Sequence, residues 1–246
     1  MIKRLIPNII TLCNLLCGVL AIVFIFNNIT IASYFILAGA FFDFFDGLVA
    51  RWLKVESKIG KELDSLADVV TFGVAPSLIA FSLLKNSLGI YALIPLLMSL
   101  MSAYRLAKFN IDSRQTTSFL GIPTPLNALL WLSIPIISHL SNNKQHLWGW
   151  YNEDFYSILV NFLTSSYFVI IASIVMSVLL IIEIPMIALK FKTLKWKDNQ
   201  WKFIFLALSI ILLFVINLYA IPFIAILYII ISLISNITKN EIHSRN

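Results

Sequence analysis

The sequence predicts an all-α integral membrane protein, a bundle of eight transmembrane helices. Three observations lead there. Hydrophobic residues make up 60% of the 246 and charged residues only 12%, with a mean hydropathy of +0.92; soluble domains carry about 25% charged residues. The apolar residues gather into eight segments, at 6–27, 30–50, 64–84, 89–107, 121–140, 164–189, 203–218 and 221–237. Each is close to the roughly 20 residues that cross a bilayer core. Finally, all but two of the 18 basic residues fall on one side if the segments alternate from an inner N-terminus, the exceptions being Lys85 and Lys144. By the positive-inside rule both termini are then cytoplasmic, in a multi-pass cytoplasmic (inner) membrane protein. The net charge of +6 follows the loops and forms no patch suited to nucleic acid.

Segment one begins Ile6-Pro7-Asn8 and runs through Thr11 to Asn14. Pro7 suits a first helical turn. Asn8, Thr11 and Asn14 recur every three residues and so share a face. The basic start at Lys3 and Arg4 is followed by no small-residue cleavage site, so the segment reads as a retained helix. Cys13 and Cys17, one turn apart in it, read as free buried thiols, neither a disulfide nor a zinc site. Segment two is apolar from Ile31 to Phe42 and then meets Asp43. A basic link from Trp52 to Lys61 leads to segment three, which opens on Asp64 and Asp68. Gly73 and Pro76 within it allow a kink or close helix packing. Segment four ends on Arg105, Lys108 and Asn110. Gly121, Pro123 and Pro125 impose a non-helical start on segment five. The long outer loop, 141–163, carries Trp148, Trp150, Tyr151 and Tyr156, read as an interfacial aromatic belt with a short surface helix. Glu183 is the one charge within segment six, beside Pro185. Segments seven and eight form a hairpin through Ala220 and Pro222.

The chemistry concentrates between Asp43 and Asp68. Asp43 and Asp46 are spaced i,i+3, and Asp64 and Asp68 i,i+4, so each pair projects from one helix face. Two helices meeting at these ends bring four carboxylates together. Carboxylates so close repel one another, and hard divalent ions with all-oxygen ligands relieve the repulsion. A pair of such ions is a common device for displacement at phosphorus. Gly47 and Gly60 leave room beside the backbone. Arg51 offers a fork suited to phosphate oxygens.

The pattern Asp43-x2-Asp46-Gly47-x2-Ala50-Arg51-x8-Gly60-x3-Asp64-x3-Asp68 resembles the signature of the CDP-alcohol phosphatidyltransferases, and no position departs from it. The stretches Asp64–Ser77, Tyr104–Asn110 and Phe119–Pro125 narrow the resemblance to the bacterial membrane-integral phosphatidylserine synthases. The resemblance implies a six-helix catalytic core over residues 1–190 and an added hairpin over 191–246. It implies Mg²⁺ or Mn²⁺, two divalent ions, on Asp43, Asp46, Asp64 and Asp68, with Asp68 also the base. Gly47, Ala50 and Arg51 would seat CDP-diacylglycerol, with Ser57, Gly60, Asn8 and Thr11 beside the nucleotide and its phosphates. The acceptor would be L-serine, its carboxylate held by Arg105 or Asn110, and the enzyme a homodimer. The general motif equally serves glycerol 3-phosphate, inositol phosphate or choline as acceptor. A cation transporter is a further reading, which repeated halves and midplane carboxylates would favour; here the acids cluster at one membrane face.

Overall fold

The computed structural model describes residues 2–55, 57–111, 119–144, 152–187 and 196–244. Ten α-helices account for most of them. Helix α1 (Ile2–Ile25) turns back into α2 (Ile29–Leu53). Asn28 caps α2, its Oδ1 accepting from the Ile31 amide at 3.1 Å, and Phe24 stacks on Phe35 across the hairpin at 5.4 Å. Helix α3 (Lys58–Asp68) runs without a break through a π-helical turn, Val69–Val74, into α4 (Ala75–Leu84). A 3₁₀ stretch, Gly89–Leu96, leads into α5 (Leu97–Ile111). Strand β1 (Phe119–Leu120) precedes α6 (Thr124–Asn142). Helices α7 (Glu153–Thr164) and α8 (Ser166–Ile181) meet at a 61° bend. Strand β2 (Pro185–Met186) follows, then α9 (Trp196–Ile216) and α10 (Ile221–Ser244).

Helix α6 forms the centre. Trp131, Ile134 and Ile137 are wholly buried in it. Two of its polar groups are answered locally: Trp131 Nε1 donates to Asn127 Oδ1 at 3.1 Å, and Ser133 Oγ to the Leu130 carbonyl at 2.6 Å. Gly73 lets α5 approach the π-helical turn, since a Cβ there would lie 2.9 Å from Ser102 Cβ. This is the close packing expected at Gly73. Gly121 takes φ +70°, and its amide donates to the Ile184 carbonyl at 2.9 Å, while Ile122 donates to Leu179 at 3.0 Å. These amides satisfy one backbone carbonyl in the last turn of α8 and one just past its end.

Several expectations change. Among the described residues, five stretches are long and apolar enough to cross a membrane, with the bent α7–α8 pair a sixth, a count that does not confirm the expected eight. One of the five is 40 residues long, 199–238, about 60 Å of helix against a core of about 30 Å. It folds back at Asn217, where φ is +61°, so that Phe205 meets Tyr228 edge-on at 5.7 Å. In α6, Pro135 and polar Asn127 and His139 interrupt the apolar run. The third segment begins at Lys58, earlier than its apolar residues, because Ser57 Oγ caps it by accepting from the Gly60 amide at 2.9 Å. Helix α8 stops at Ile181, so Glu183 lies beyond it, exposed and paired with Lys108. The short helix of the outer loop exists as α7, but Tyr156 is buried and stacked on Tyr219 at 3.9 Å instead of lying in an interfacial belt. Trp148, Trp150 and Tyr151 lie outside the described residues. Cys13 and Cys17 are free thiols.

Candidate metal and phosphate site

A four-residue connection sets the geometry. At the end of α2, Lys54 takes the left-handed conformation (φ 52°) and its amide bonds the Ala50 and Arg51 carbonyls. The chain then reverses into α3, and α1 packs against both helices. Asp43 from α2 and Asp64 and Asp68 from α3 converge, each offering an oxygen within 4.8 Å of the other two. Asp43 lies within hydrogen-bonding reach of both partners. At that distance, with an effective dielectric constant of about 20, each ionised pair repels by about 3.5 kcal/mol. An oxygen-only set with this much mutual repulsion fits a hard divalent cation.

Asp46 stands beside the trio, within electrostatic reach of Asp43 and Asp64. It is buried, and its Oδ2 lies 2.6 Å from Thr11 Oγ1, which is also 3.0 Å from the Pro7 carbonyl. Asp68 is buried too, and its Oδ1 accepts from Asn14 Nδ2 at 3.3 Å. Helix α1 therefore orients one carboxylate from each arm of the hairpin. Asn14 is itself placed by the π-helical turn, where Thr71 Oγ1 donates to the Asn14 carbonyl at 3.0 Å. Gly18 and Gly39 make that approach possible: a Cβ on Gly18 would lie 2.9 Å from Thr71 Cα, and one on Gly39 3.1 Å from Asn14 Oδ1.

The remaining candidates divide into two groups. Gly47, Ala50 and Arg51 occupy one face of the last turns of α2, just beyond the aspartates. A Cβ on Gly47 would meet only Arg51 Nη1, at 3.6 Å, so the backbone there is open. Asn8 reaches the start of α3, where a Cβ on Gly60 would come within 2.9 Å of both Asn8 Oδ1 and Ser57 Oγ. Ser57 and Gly60 thus shape the α1–α3 contact, whatever else they touch. On the far side, Arg105 is buried within electrostatic reach of Asp68 and of Tyr228 on α10. Asn110 does not join it. Its amide nitrogen donates to Ser65 Oγ at 3.0 Å and Glu62 Oε2 at 3.3 Å, and Lys61 Nζ donates to its carbonyl at 3.1 Å. Asn110 fastens the end of α5 to α3. Asn14 and Thr71 are the orienting residues that the motif does not contain. The three-residue spacing Asn8–Thr11–Asn14 carried a signal for the first, and nothing local marked the second.

The family model described as CDP-alcohol phosphatidyltransferase matches residues 4–238. The chain belongs to that family. The chain is 46% identical over 122 residues to a protein of Bacillus subtilis (strain 168), covering 49% of this chain and 69% of the relative. It is 38% identical over 146 residues to one of Helicobacter pylori (strain ATCC 700392 / 26695), covering 58% and 60%. It is 32% identical over 191 residues to one of Mycobacterium leprae (strain TN), covering 74% and 58%. All three relatives carry the name CDP-diacylglycerol–serine O-phosphatidyltransferase. The phosphatidyltransferase thus spans just over two thirds of the Bacillus protein and about three fifths of the other two.

Proposed function

We propose that this phosphatidyltransferase moves the phosphatidyl group of CDP-diacylglycerol to the hydroxyl of L-serine, giving phosphatidylserine and CMP. The observation that carries the reading is the position of Asp68. It belongs to the carboxylate trio and at the same time lies within reach of a buried Arg105. One carboxylate thus stands between a phosphate-handling site and a cation suited to an acceptor's carboxylate.

In this reading Gly47, Ala50 and Arg51 seat the CDP, the open backbone at Gly47 letting the nucleotide approach. Asp43, Asp46, Asp64 and Asp68 hold Mg²⁺ or Mn²⁺, two ions in the full site. When bound, such ions supply positive charge against the pyrophosphate. Arg105 holds the serine carboxylate and so fixes where its hydroxyl points. Asp68, kept in place by Asn14, accepts the hydroxyl proton. The serine oxygen forms a bond to the β-phosphorus as the bond from that phosphorus to the bridging oxygen breaks, and CMP leaves with the bridging oxygen. Residues 1–190 carry the core of this chemistry, with the hairpin of 191–246 added to it. The aspartates face the cytoplasm, where the basic loops also lie, and two chains form a homodimer.

The test is CMP release by the purified protein with CDP-diacylglycerol and Mg²⁺ or Mn²⁺, offered L-serine, glycerol 3-phosphate, inositol phosphate or choline in turn. Release with serine alone is expected. Release with another acceptor alone keeps the reaction class and overturns serine. No release with any acceptor overturns the enzymatic reading.

A further inference from the structure

The C-terminal hairpin carries a polar stripe that the proposed chemistry leaves unused. Tyr228, Ser232 and Asn236 recur every four residues on α10 and therefore share a face. Tyr228 and Ser232 are buried, where polar groups are costly without partners. All three serve the same short piece of main chain. Tyr228 Oη donates to the Ile187 carbonyl at 2.9 Å, Ser232 Oγ accepts from the Ile187 amide at 3.3 Å, and Asn236 Nδ2 donates to the Pro185 carbonyl.

That piece of chain is β2 and the residue after it. Its other edge pairs antiparallel with β1, Phe119 opposite Met186 and Leu120 opposite Pro185. A two-residue ladder leaves the second edge of β2 without a strand partner, and its backbone groups need partners from elsewhere. Helix α10 supplies the second edge with side chains.

The chain leading into the braced segment lines the pocket beside Arg105. Tyr104, Arg105 and Lys108 of α5 form one wall of it, and Leu180 to Glu183, which lead into β2, form the opposite wall. The Lys108–Glu183 ion pair joins the two walls at the rim. Tyr228 connects to this pocket through the main chain, its bond to Ile187 lying four residues past Glu183 of the pocket wall.

We infer that α10 is a working part of the acceptor site, with Tyr228, Ser232 and Asn236 as positioning residues that hold Pro185–Ile187 and, through the chain leading into it, the Leu180–Glu183 wall of a water-sized pocket beside Arg105, the cation that would take an acceptor carboxylate. The inference rests on the reading of Arg105 given above. A hydrogen bond of this kind contributes about 0.5–1.5 kcal/mol, which as a KM ratio is about 2- to 13-fold.

The experiment compares the full-length wild type with Tyr228→Phe, Asn236→Ala, Ser232→Ala, Ser232→Thr and Arg105→Lys. It measures kcat, KM for L-serine, KM for CDP-diacylglycerol, and Tm in detergent. Expected is a rise of several-fold in the serine KM for Tyr228→Phe and Asn236→Ala, with the donor KM unchanged and Tm lower by no more than a few degrees. Ser232→Thr, which keeps the hydroxyl, should restore what Ser232→Ala loses. If Arg105→Lys raises the serine KM and the α10 variants leave it unchanged, the inference falls and the reading of Arg105 stands. If Arg105→Lys leaves the serine KM unchanged, both fall. A drop in Tm with matching losses for both substrates reduces α10 to packing and also overturns the inference.

Discussion

Replacing Gly18 with alanine drives a methyl group into the backbone of the π-helical turn. The new Cβ would lie 2.9 Å from Thr71 Cα and 3.0 Å from Thr71 N. Carbon atoms in contact prefer about 3.5–4.0 Å, so α1 and the turn must part by close to an ångström. The obstacle is main chain, and no rotamer change relieves it. Overpacking of this kind costs about 1–3 kcal/mol. In a chain of this size each kcal/mol lowers Tm by about 2–4 °C. The displacement also strains the bond from Thr71 to the Asn14 carbonyl, and with it the bond from Asn14 to Asp68. A misplacement of about 1 Å can cost on the order of 100-fold in rate. The expected result for Gly18→Ala is a Tm several degrees lower and CMP release down by about two orders of magnitude. Gly47→Ala is the contrast: its Cβ meets only Arg51 Nη1 at 3.6 Å, so Tm should hold while the donor KM rises. A Gly18→Ala protein with wild-type Tm and wild-type rate would refute the chain of contacts from α1 through Thr71 to Asp68.

Other outcomes follow from the same geometry. Asp68→Asn should abolish turnover while CDP-diacylglycerol still binds, measured by retention of labelled donor; normal turnover would remove Asp68 as the base. Thr11→Val deletes the hydroxyl 2.6 Å from Asp46 and should weaken metal activation by about 10- to 100-fold, read from the Mg²⁺ concentration at half-maximal rate, with Thr11→Ser restoring it. Chelation by EDTA should stop CMP release, and added Mg²⁺ or Mn²⁺ should restore it; a chelator-resistant rate would exclude the metal role of the trio.

The sequence made some of this legible because the signals were local. The i,i+3 and i,i+4 spacings put the aspartates on facing helix sides, and three of the four do converge. Gly73 and Gly121 marked a tight approach and a non-helical turn. Other features depend on contacts between residues far apart in the chain. Asn110 looked like a cavity residue beside Arg105, yet its partners Glu62 and Ser65 lie over 40 residues away, and only packing assigns it to them. Tyr156 looked interfacial because its neighbours are aromatic, but Tyr219 covers it. The β1–β2 ladder is two residues long on each side, too short for any periodicity to reveal. Ser57 and Gly60 show a different limit. The resemblance assigned them to the donor, while the structure gives both a local duty in starting α3 and admitting α1.

The bracing of Pro185–Ile187 by α10 has a consequence for how the molecule comes into being. All four aspartates have been synthesised by residue 68, whereas Tyr228, Ser232 and Asn236 follow much later in the chain. A nascent chain thus owns its carboxylates long before it owns the helix that completes the opposite wall. On the proposed reading, the parts assigned to the donor are made early and those assigned to the acceptor late. A chain cut short before Tyr228 would keep the means to hold an activated lipid without the finished pocket that makes use of it.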